Sequence, residues 1–215
     1  MFADRREAAL QLAKALEKYR NKEVIVFGIP RGGAETAYYV AKYLNAELSL
    51  LIVRKLGHPY NPEYAFGAIA EDGTVYHTPL AKVELSQEMM DEVEEQQQKE
   101  IERRQQTLRK GLPLPDIKNN TIIIVDDGIA TGATIFAAIK MCKKKGAAKI
   151  VVAAPVAAER KKKELQQEAD EVIILETPDH FYAVSQAYDT FYNLTDGEAL
   201  EFIEKWQRER RVKNH

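Results

Sequence analysis

The residues with the clearest chemical potential form one segment, Ile122 to Thr134, in which two acids and a glycine turn follow an apolar run. The apolar run Ile122–Val125 predicts a buried strand, and Asp126 and Asp127 come directly after it. Thr131-Gly132-Ala133-Thr134 then predicts the start of a helix. Because ligands of open α/β sheets bind beyond the carboxyl ends of the strands, we expect a ligand at this point.

Each residue type in this segment suits one part of a sugar phosphate. Two neighbouring carboxylates repel each other unless something offsets their charge, and the vicinal hydroxyls of a ribose are good donors to them. A helix start directs unpaired N–H groups and the helix dipole at one spot, which favours a phosphate dianion. Gly132 lets the backbone approach a ligand, while Thr131 and Thr134 add hydroxyl donors. A 5-phosphoribose carries a diol and a phosphate at about this separation, so the segment predicts a phosphoribose site.

Two other interpretations of the segment compete with a phosphoribose site. A strand followed by an Asp-capped helix, with no ligand, explains the two acids but not the threonine-glycine helix start. A Walker B strand of a nucleotide triphosphatase requires a companion loop of the form G-x-x-x-x-G-K-[ST], and the sequence contains no such run.

Basic residues follow two further predicted strands. Pro30-Arg31-Gly32-Gly33 comes after the apolar run Val24–Ile29, and the Arg31 guanidinium offers a fork of donors that suits phosphate oxygens. Arg54 and Lys55 end a second predicted strand, ELSLLIVRKL. A strand-to-helix turn and a pair of solvated charges explain these residues when each is taken alone. Beside the acidic segment, both groups predict contacts to a pyrophosphate.

Predicted strands and helices alternate along most of the chain, which indicates an α/β fold with a central, mostly parallel sheet flanked by helices. Three features interrupt the alternation: the breaker-rich loop 57–62, a hairpin with an Asp-Gly turn, and a long polar helix over 86–110. We predict one domain over 1–215, with a core over about 22–176, a lid or hairpin insertion over about 57–112 and an aromatic, hood-like tail over about 178–215. The other predicted helices cover 4–19, 34–44, 134–145 and 159–169, and the strands 24–29, 48–53, 121–125, 150–155 and 171–176.

Composition limits the classes of partner. The chain has 215 residues, of which 45% are hydrophobic and 30% charged, and its formal net charge is −2. A near-neutral balance argues against a nucleic-acid or membrane-surface binder, which is usually basic. No apolar run is long enough to span a bilayer, the N-terminal segment is charged and amphipathic, and Cys142 is the one cysteine. We therefore expect a cytoplasmic protein that acts on small molecules.

The segment Ile122–Thr134 resembles the phosphoribosyl-pyrophosphate signature of the type I phosphoribosyltransferases. The resemblance extends more loosely from about Val24 to Glu176. It is strongest to a bacterial and archaeal branch of that family, through the runs GIPRGG, VRKLG and NPEYAFGA and a late F-x-A-V…Y…F pattern. The chain is thus identified as a member of the type I phosphoribosyltransferase family.

This resemblance implies a set of binding roles. Asp126 and Asp127 bind the ribose hydroxyls and lie near Mg²⁺, which enters with phosphoribosyl pyrophosphate, so their part in metal binding is indirect. The 5′-phosphate is bound by Ala130-Thr131-Gly132-Ala133-Thr134. A non-proline cis peptide is implied near Arg31-Gly32. Since similar enzymes are commonly dimers, a homodimer is expected.

The implied reaction displaces pyrophosphate from C1 of the ribose by a nitrogen of a base. Arg31 and Lys55 stabilise the leaving group. Asn61–Gly67 resembles the mobile active-site stretch of adenine phosphoribosyltransferases and implies Glu63 as the catalytic acid, although a surface turn after two prolines explains the stretch equally well. Ala130 stands where the 6-oxopurine enzymes carry an aspartate that handles a proton of the base, so hypoxanthine and guanine are disfavoured. The candidates for the base pocket are Ile129, Phe181 and Tyr182.

Two other functions stay open at the level of sequence. A regulatory protein can bind phosphoribosyl pyrophosphate without catalysis and couple it to nucleic-acid binding. The basic runs Lys143–Lys145 and Lys161–Lys163 lend this little support, because solvated helix faces explain them better. A relative of the same fold can instead cleave a nucleotide by phosphorolysis or hydrolysis.

Overall fold

The computed structural model describes residues 1–79 and 81–213, and the side chains of Pro62, Glu63, Lys82 and Lys213 lie outside the described part. The helices are α1 (Arg5–Ala15), α2 (Gly32–Leu44), α3 (Ala81–Glu84), α4 (Gln87–Arg109), α5 (Ala133–Lys144), α6 (Glu159–Gln166) and α7 (Asp196–Lys213). The strands are β1 (Val24–Gly28), β2 (Glu47–Leu50), β3 (Val53–His58), β4 (Asn61–Ala70), β5 (Val75–His77), β6 (Thr121–Val125), β7 (Lys149–Val156) and β8 (Glu171–Glu176). Apart from the second strand, the predicted core elements are confirmed, with small shifts at their ends.

A five-stranded sheet in the order β2-β1-β6-β7-β8 forms the centre of the fold. All of its neighbouring strands pair in parallel, as predicted. In the register of β1 and β6, Gly28 lies beside Val125. Both strands therefore end at the same level, so the loop after β1 and the loop after β6 leave the same edge of the sheet together.

The side chains of β6 alternate between two cores, one on each face of the sheet. Ile123 and Val125 pack on the face covered by α1, α2 and α7, whereas Ile122 and Ile124 pack under α5. All four are fully buried, which explains why this strand is apolar at every position instead of at alternate positions. In the described ranges 1–79 and 81–213, the helices are too short or too polar for a membrane span.

The predicted second strand is wrong in one respect, because ELSLLIVRKL forms two strands in different sheets. The chain leaves the parallel sheet after β2, and β3 then joins a separate antiparallel sheet in the order β3-β4-β5. Leu51 and Ile52 are buried at the crossing, and the Ile52 N–H donates to the carboxylate of Glu71 at 3.2 Å. This change of sheet depends on a residue nineteen positions away, so local hydrophobicity does not predict it.

The insertion consists of the antiparallel sheet and α4. The loop predicted over 57–62 is shorter than expected, since β3 runs to His58 and β4 begins at Asn61, which leaves Pro59 and Tyr60 at the turn. The predicted Asp-Gly hairpin is confirmed between β4 and β5, where the Ala70 N–H donates to the Thr74 carbonyl at 2.9 Å.

Helix α4 is fixed to the core and not merely solvated. Its first turn is capped by Ser86, which accepts the Met89 N–H at 3.3 Å, and Met90, Ile101 and Leu108 are buried. Near its end, the Arg109 guanidinium donates to the Glu71 carboxylate at 2.6 Å and to the Leu50 carbonyl at 3.1 Å. These side chains attach α4 to both sheets.

Arg109→Ala should strongly destabilise the protein, because it leaves the Glu71 carboxylate buried, with 4% side-chain exposure, and without its cation. We expect the free energy of unfolding to fall by about 3 kcal/mol or more, measured by urea denaturation at neutral pH. Lys99→Ala on the same helix removes an exposed lysine whose partner Glu95 is equally exposed, and should leave the stability near that of the parent protein. Equal losses in the two variants would contradict the role given to the Glu71–Arg109 pair.

Candidate functional site

The loops after β1 and β6 lie against each other. A Cβ added at Gly32 would lie 1.8 Å from Asp127 Oδ2, and one at Gly33 would lie 2.8 Å from the Val125 carbonyl oxygen. Only glycine therefore allows this close approach. The non-proline cis peptide lies at Pro30-Arg31, one bond before the predicted position.

Asp127 is a buried acid with a buried partner that the sequence did not predict. Its exposure is 8%, and its carboxylate accepts a hydrogen bond from Arg5 Nε at 2.7 Å. Arg5 comes from α1 and is itself 4% exposed. The hydroxyl of Tyr188 donates to the Asp127 backbone carbonyl. Asp127 is thus held from opposite ends of the chain.

The residues that contact Asp127 also link the N-terminal segment to the segment before α7. The Arg5 guanidinium lies 4.2 Å from the centre of the Phe191 ring, a cation–π contact. Phe2 is buried beside Tyr188, and its N–H donates to the Ala187 carbonyl at 2.8 Å. No local pattern marks these contacts, because each joins residues that are distant in sequence.

Of the two acids, Asp126 is the one whose carboxylate has no direct hydrogen bond from a cationic side chain in the described residues. Its Oδ1 accepts the Asp127 backbone N–H at 2.9 Å. Burial and then the neighbouring charge of Asp127 raise the pKa of Asp126 well above its ordinary value, against a smaller opposing effect of Arg5. Burial also raises the pKa of Glu35, whose carboxylate lies 4.0 Å from Arg5. Hydroxyl donors or a cation from a ligand would relieve this excess of negative charge.

The predicted phosphate loop ends in an uncapped helix start. Gly132 has a φ of +76° and precedes α5, and no side chain caps this helix in the described part of the chain. Thr131 is exposed and Thr134 half-buried, so hydroxyls flank the free N–H groups. A Cβ at Gly132 would be strained by its left-handed conformation and would meet the Phe136 ring at 3.2 Å. A helix start of this kind can bind an anion.

An open cleft of about 660 Å³ brings together many of the predicted residues. Its lining includes the predicted residues Pro30, Arg31, Gly32, Arg54, Lys55, Asp126 and Asp127. It also includes Arg5, Arg104, Val184, Phe191 and Asn193, which the sequence analysis did not select. The loop 130–134 and Gly33 are not part of this lining, although Gly128 is and the chain continues from there into the loop.

Arg54 is one of several cations that face the cleft. It lies on β3, and its Nε donates to Gln97 Oε1 of α4 at 2.9 Å. Burial lowers the pKa of Arg54, and repulsion from Arg104 and Arg31 lowers it further. The carboxylates of Glu100 and Asp196 oppose this effect, and a bound anion would offset more of the repulsion among the guanidinium groups.

Three predicted residues do not take their expected places at the cleft, and a fourth is untested. Ile129 is 2% exposed, and its N–H and carbonyl bond to Val156 and Ala158, so its side chain offers no surface to a base. Phe181 packs in the cluster around Phe2, and Tyr182 is 77% exposed. Neither aromatic residue is in the described lining, where Val184 and Phe191 stand instead. Glu63 is part of strand β4, and its side chain is not among those that the structure describes.

No group of three or more His, Cys, Asp or Glu side chains is arranged to hold a metal ion within residues 1–79 and 81–213.

The chain belongs to the phosphoribosyl transferase family. The family model described as phosphoribosyl transferase domain matches residues 3–191. Two curated relatives from strains of Mycobacterium tuberculosis, whose names assign them provisionally to the phosphoribosyl transferases, are each 42% identical over 211 residues. The match covers 97% of this chain and 48% of each relative, so the chain spans about half the length of these proteins.

Solved structures agree with the predicted fold. TT1426 from Thermus thermophilus has a TM-score of 0.80 and 36% sequence identity, covering 95% of this chain and 98% of that one. The protein AQ2163 from Aquifex aeolicus shares the fold at a TM-score of 0.50 and 17% identity, covering 80% of this chain and 73% of its own. The prediction of a type I phosphoribosyltransferase fold is confirmed.

Asp126→Asn should stabilise the protein at neutral pH. Because the pKa of Asp126 is raised on folding, the folded state holds a proton that the unfolded chain has released, and stability falls as the pH rises through this interval. Asparagine does not titrate and retains an oxygen for the Asp127 N–H. We expect a gain on the order of 1 kcal/mol at pH 7 that disappears below the ordinary aspartate pKa, measured by urea denaturation across pH.

Asp179→Asn is the control for this experiment, because Asp179 is exposed. Its stability should follow that of the parent protein at each pH. If the free energy of unfolding changed with pH in the same way in Asp126→Asn and in the parent protein, folding would not raise the pKa of Asp126.

Proposed function

We propose that the protein transfers the 5-phosphoribosyl group of phosphoribosyl pyrophosphate to a nitrogenous base and releases pyrophosphate. The observation that carries this proposal is the meeting of the acid pair, Asp126 and Asp127, with the loop Pro30–Gly33 in a cleft rich in cations. A diol and a pyrophosphate on adjacent ribose carbons require these two kinds of group side by side.

The donor is proposed to bind by its three polar parts. The ribose hydroxyls donate to the carboxylates of Asp126 and Asp127. The 5′-phosphate accepts hydrogen bonds from the loop 130–134 at the uncapped start of α5. The pyrophosphate lies between Pro30–Gly33 and the side chains of Arg54 and Lys55, which line the cleft.

This arrangement suits displacement at C1. A lone pair of the base nitrogen forms the new bond to C1 while the bond from C1 to the pyrophosphate oxygen breaks, and the oxygen keeps the electron pair. Arg31, Arg54 and Lys55 stabilise the charge that develops on the leaving group. The hairpin turn at Pro59 and Tyr60 is the proposed lid, whose closure would exclude water from the reacting sugar.

Mg²⁺ is proposed to enter with the donor. The acid pair fits a nearby divalent cation, because the repulsion that raises the pKa of Asp126 would fall in its presence. Asp126 and Asp127 would act on the ion indirectly, through the ribose hydroxyls. When bound, Mg²⁺ would supply charge neutralisation on the pyrophosphate.

The acceptor base is proposed to lie beside Val184, Phe191 and Asn193, which line the cleft next to the acids. The Asn193 amide offers both a donor and an acceptor to the edge of a base. Ala130 has no carboxylate for proton exchange, which disfavours the 6-oxopurines as acceptors. The homodimer and the cytoplasmic location stay predictions from the sequence.

Incubation with Mg²⁺, phosphoribosyl pyrophosphate and a panel of purine, pyrimidine and pyridine bases tests the proposal. We expect base-dependent release of pyrophosphate, and the double variant Asp126→Asn, Asp127→Asn should lose donor binding because both acceptors of the ribose diol are weakened. Tight donor binding without turnover for any base would favour a regulatory protein over an enzyme. Unchanged donor affinity in the double variant would refute the ribose site.

Glu63→Gln separates the proposed catalytic acid from the binding site. If Glu63 exchanges a proton with the base, kcat should fall by roughly 100-fold while donor affinity is retained. Glu88→Gln, at an exposed position early in α4, serves as the matched control. Turnover equal to that of the control would remove Glu63 from the mechanism and leave the donor site standing.

A further inference from the structure

Guanidinium groups from three separate elements converge at one side of the cleft. Arg31 lies in the loop after β1, Arg54 lies on β3, and Arg104 lies on α4. All three are part of the cleft lining, and the repulsion from Arg104 and Arg31 contributes to the lowered pKa of Arg54. The pyrophosphate site proposed above includes Arg31 and Arg54 but leaves Arg104 without a role.

Arg104 is a buried cation with donors to spare. It is 7% exposed, its Nε donates to Glu100 Oε1 at 3.0 Å, and its Nη2 lies 3.5 Å from Asp196 Oδ1. The contact through Nε is a hydrogen bond, whereas the one to Asp196 is an ion pair that leaves Asp196 Oδ1 without a hydrogen bond, so further N–H groups of the guanidinium remain available to a ligand. The carboxylates of Glu100 and Asp196 therefore orient the Arg104 guanidinium, which still borders the cleft.

The neighbouring Arg103 shows that a link between α4 and α7 does not require Arg104. Arg103 donates to Glu100 at 2.8 Å and to Asp196 at 2.6 Å, so it binds the same two acids. Its side chain is 51% exposed, and it is outside the described lining of the cleft. Burial of a second arginine beside the same acids costs desolvation energy, which suggests another task for Arg104.

The position of Arg104 is preset by the packing of α4. Arg109 anchors the helix five residues further on through Glu71, and Gln97 joins it to Arg54. Ile101 packs between these two contacts and is fully buried. A cation on such a fixed helix binds an anion without ordering a mobile side chain or loop first.

We propose that Arg104 binds the pyrophosphate group of the donor and completes its binding site from α4. The ligand class is a diphosphate anion, and the proposal rests on the proposed function only in assigning that anion to the donor. The insertion then supplies a fixed wall of the site through Arg54, Lys55 and Arg104.

Titration calorimetry of inorganic pyrophosphate with Mg²⁺ tests this role on the intact chain. Arg104→Gln should weaken pyrophosphate binding by roughly tenfold or more, as expected for a lost charge-assisted hydrogen bond. Arg103→Gln disturbs the same two acids and should bind within about twofold of the parent protein. Equal affinities for the two variants, or a parent protein that does not bind pyrophosphate, would overturn the proposal.

A second pair of variants covers the case in which Arg104→Gln fails to fold, as judged by its thermal unfolding. Arg104→Lys keeps the charge but loses the planar fork, and should bind pyrophosphate at least threefold more weakly than Arg103→Lys. Indistinguishable affinities would again overturn the proposal. These titrations need no turnover, so they test Arg104 separately from the proposed transferase activity. If the protein transferred no phosphoribosyl group but its pyrophosphate affinity still depended on Arg104, the transferase proposal would be refuted and this inference would stand.

Discussion

The structure depends on two adjacent carboxylates at the end of the buried strand β6. Such a pair is unfavourable in a protein interior, so the fold must bring counter-charge to it. Arg5 reaches Asp127 from α1, while Tyr188 holds the backbone of the same residue from the segment before α7. Burial and the neighbouring charge of Asp127 raise the pKa of Asp126, which stays partly exposed and lines the cleft.

Around this acid pair, the two parts of the fold contribute different charges. The parallel sheet places the acids and the loop Pro30–Gly33 at one edge, because β1 and β6 end in register. The insertion supplies cations from β3 and α4. The Glu71–Arg109 pair attaches the C-terminal end of α4 to the residue that follows β4.

The sequence predicted the place of the candidate site in the fold where the signal was contiguous in sequence. The apolar strand, the acids and the glycine turn lie within thirteen successive residues, and the structure places them at a strand end as predicted. The residues predicted for the base pocket do not line the cleft, because Ile129 is buried in the core, Phe181 packs in the cluster around Phe2, and Tyr182 is exposed. Aromatic residues fill cores and line sites alike, so their type alone does not decide between the two.

The sequence by itself determined the alternation of the core, the polar helix α4 and the strand, acid pair and glycine turn of Ile122–Thr134, because each is encoded by neighbouring residues through periodicity, capping and turn chemistry. Only the tertiary structure decided that ELSLLIVRKL divides between two sheets and that Arg5 and Arg104 enter the cleft. Arg5 and Asp127 are 122 positions apart, so no local sequence pattern predicts their contact. Their contact exists because the packing of α1 on the core brings the buried Arg5 to the end of β6.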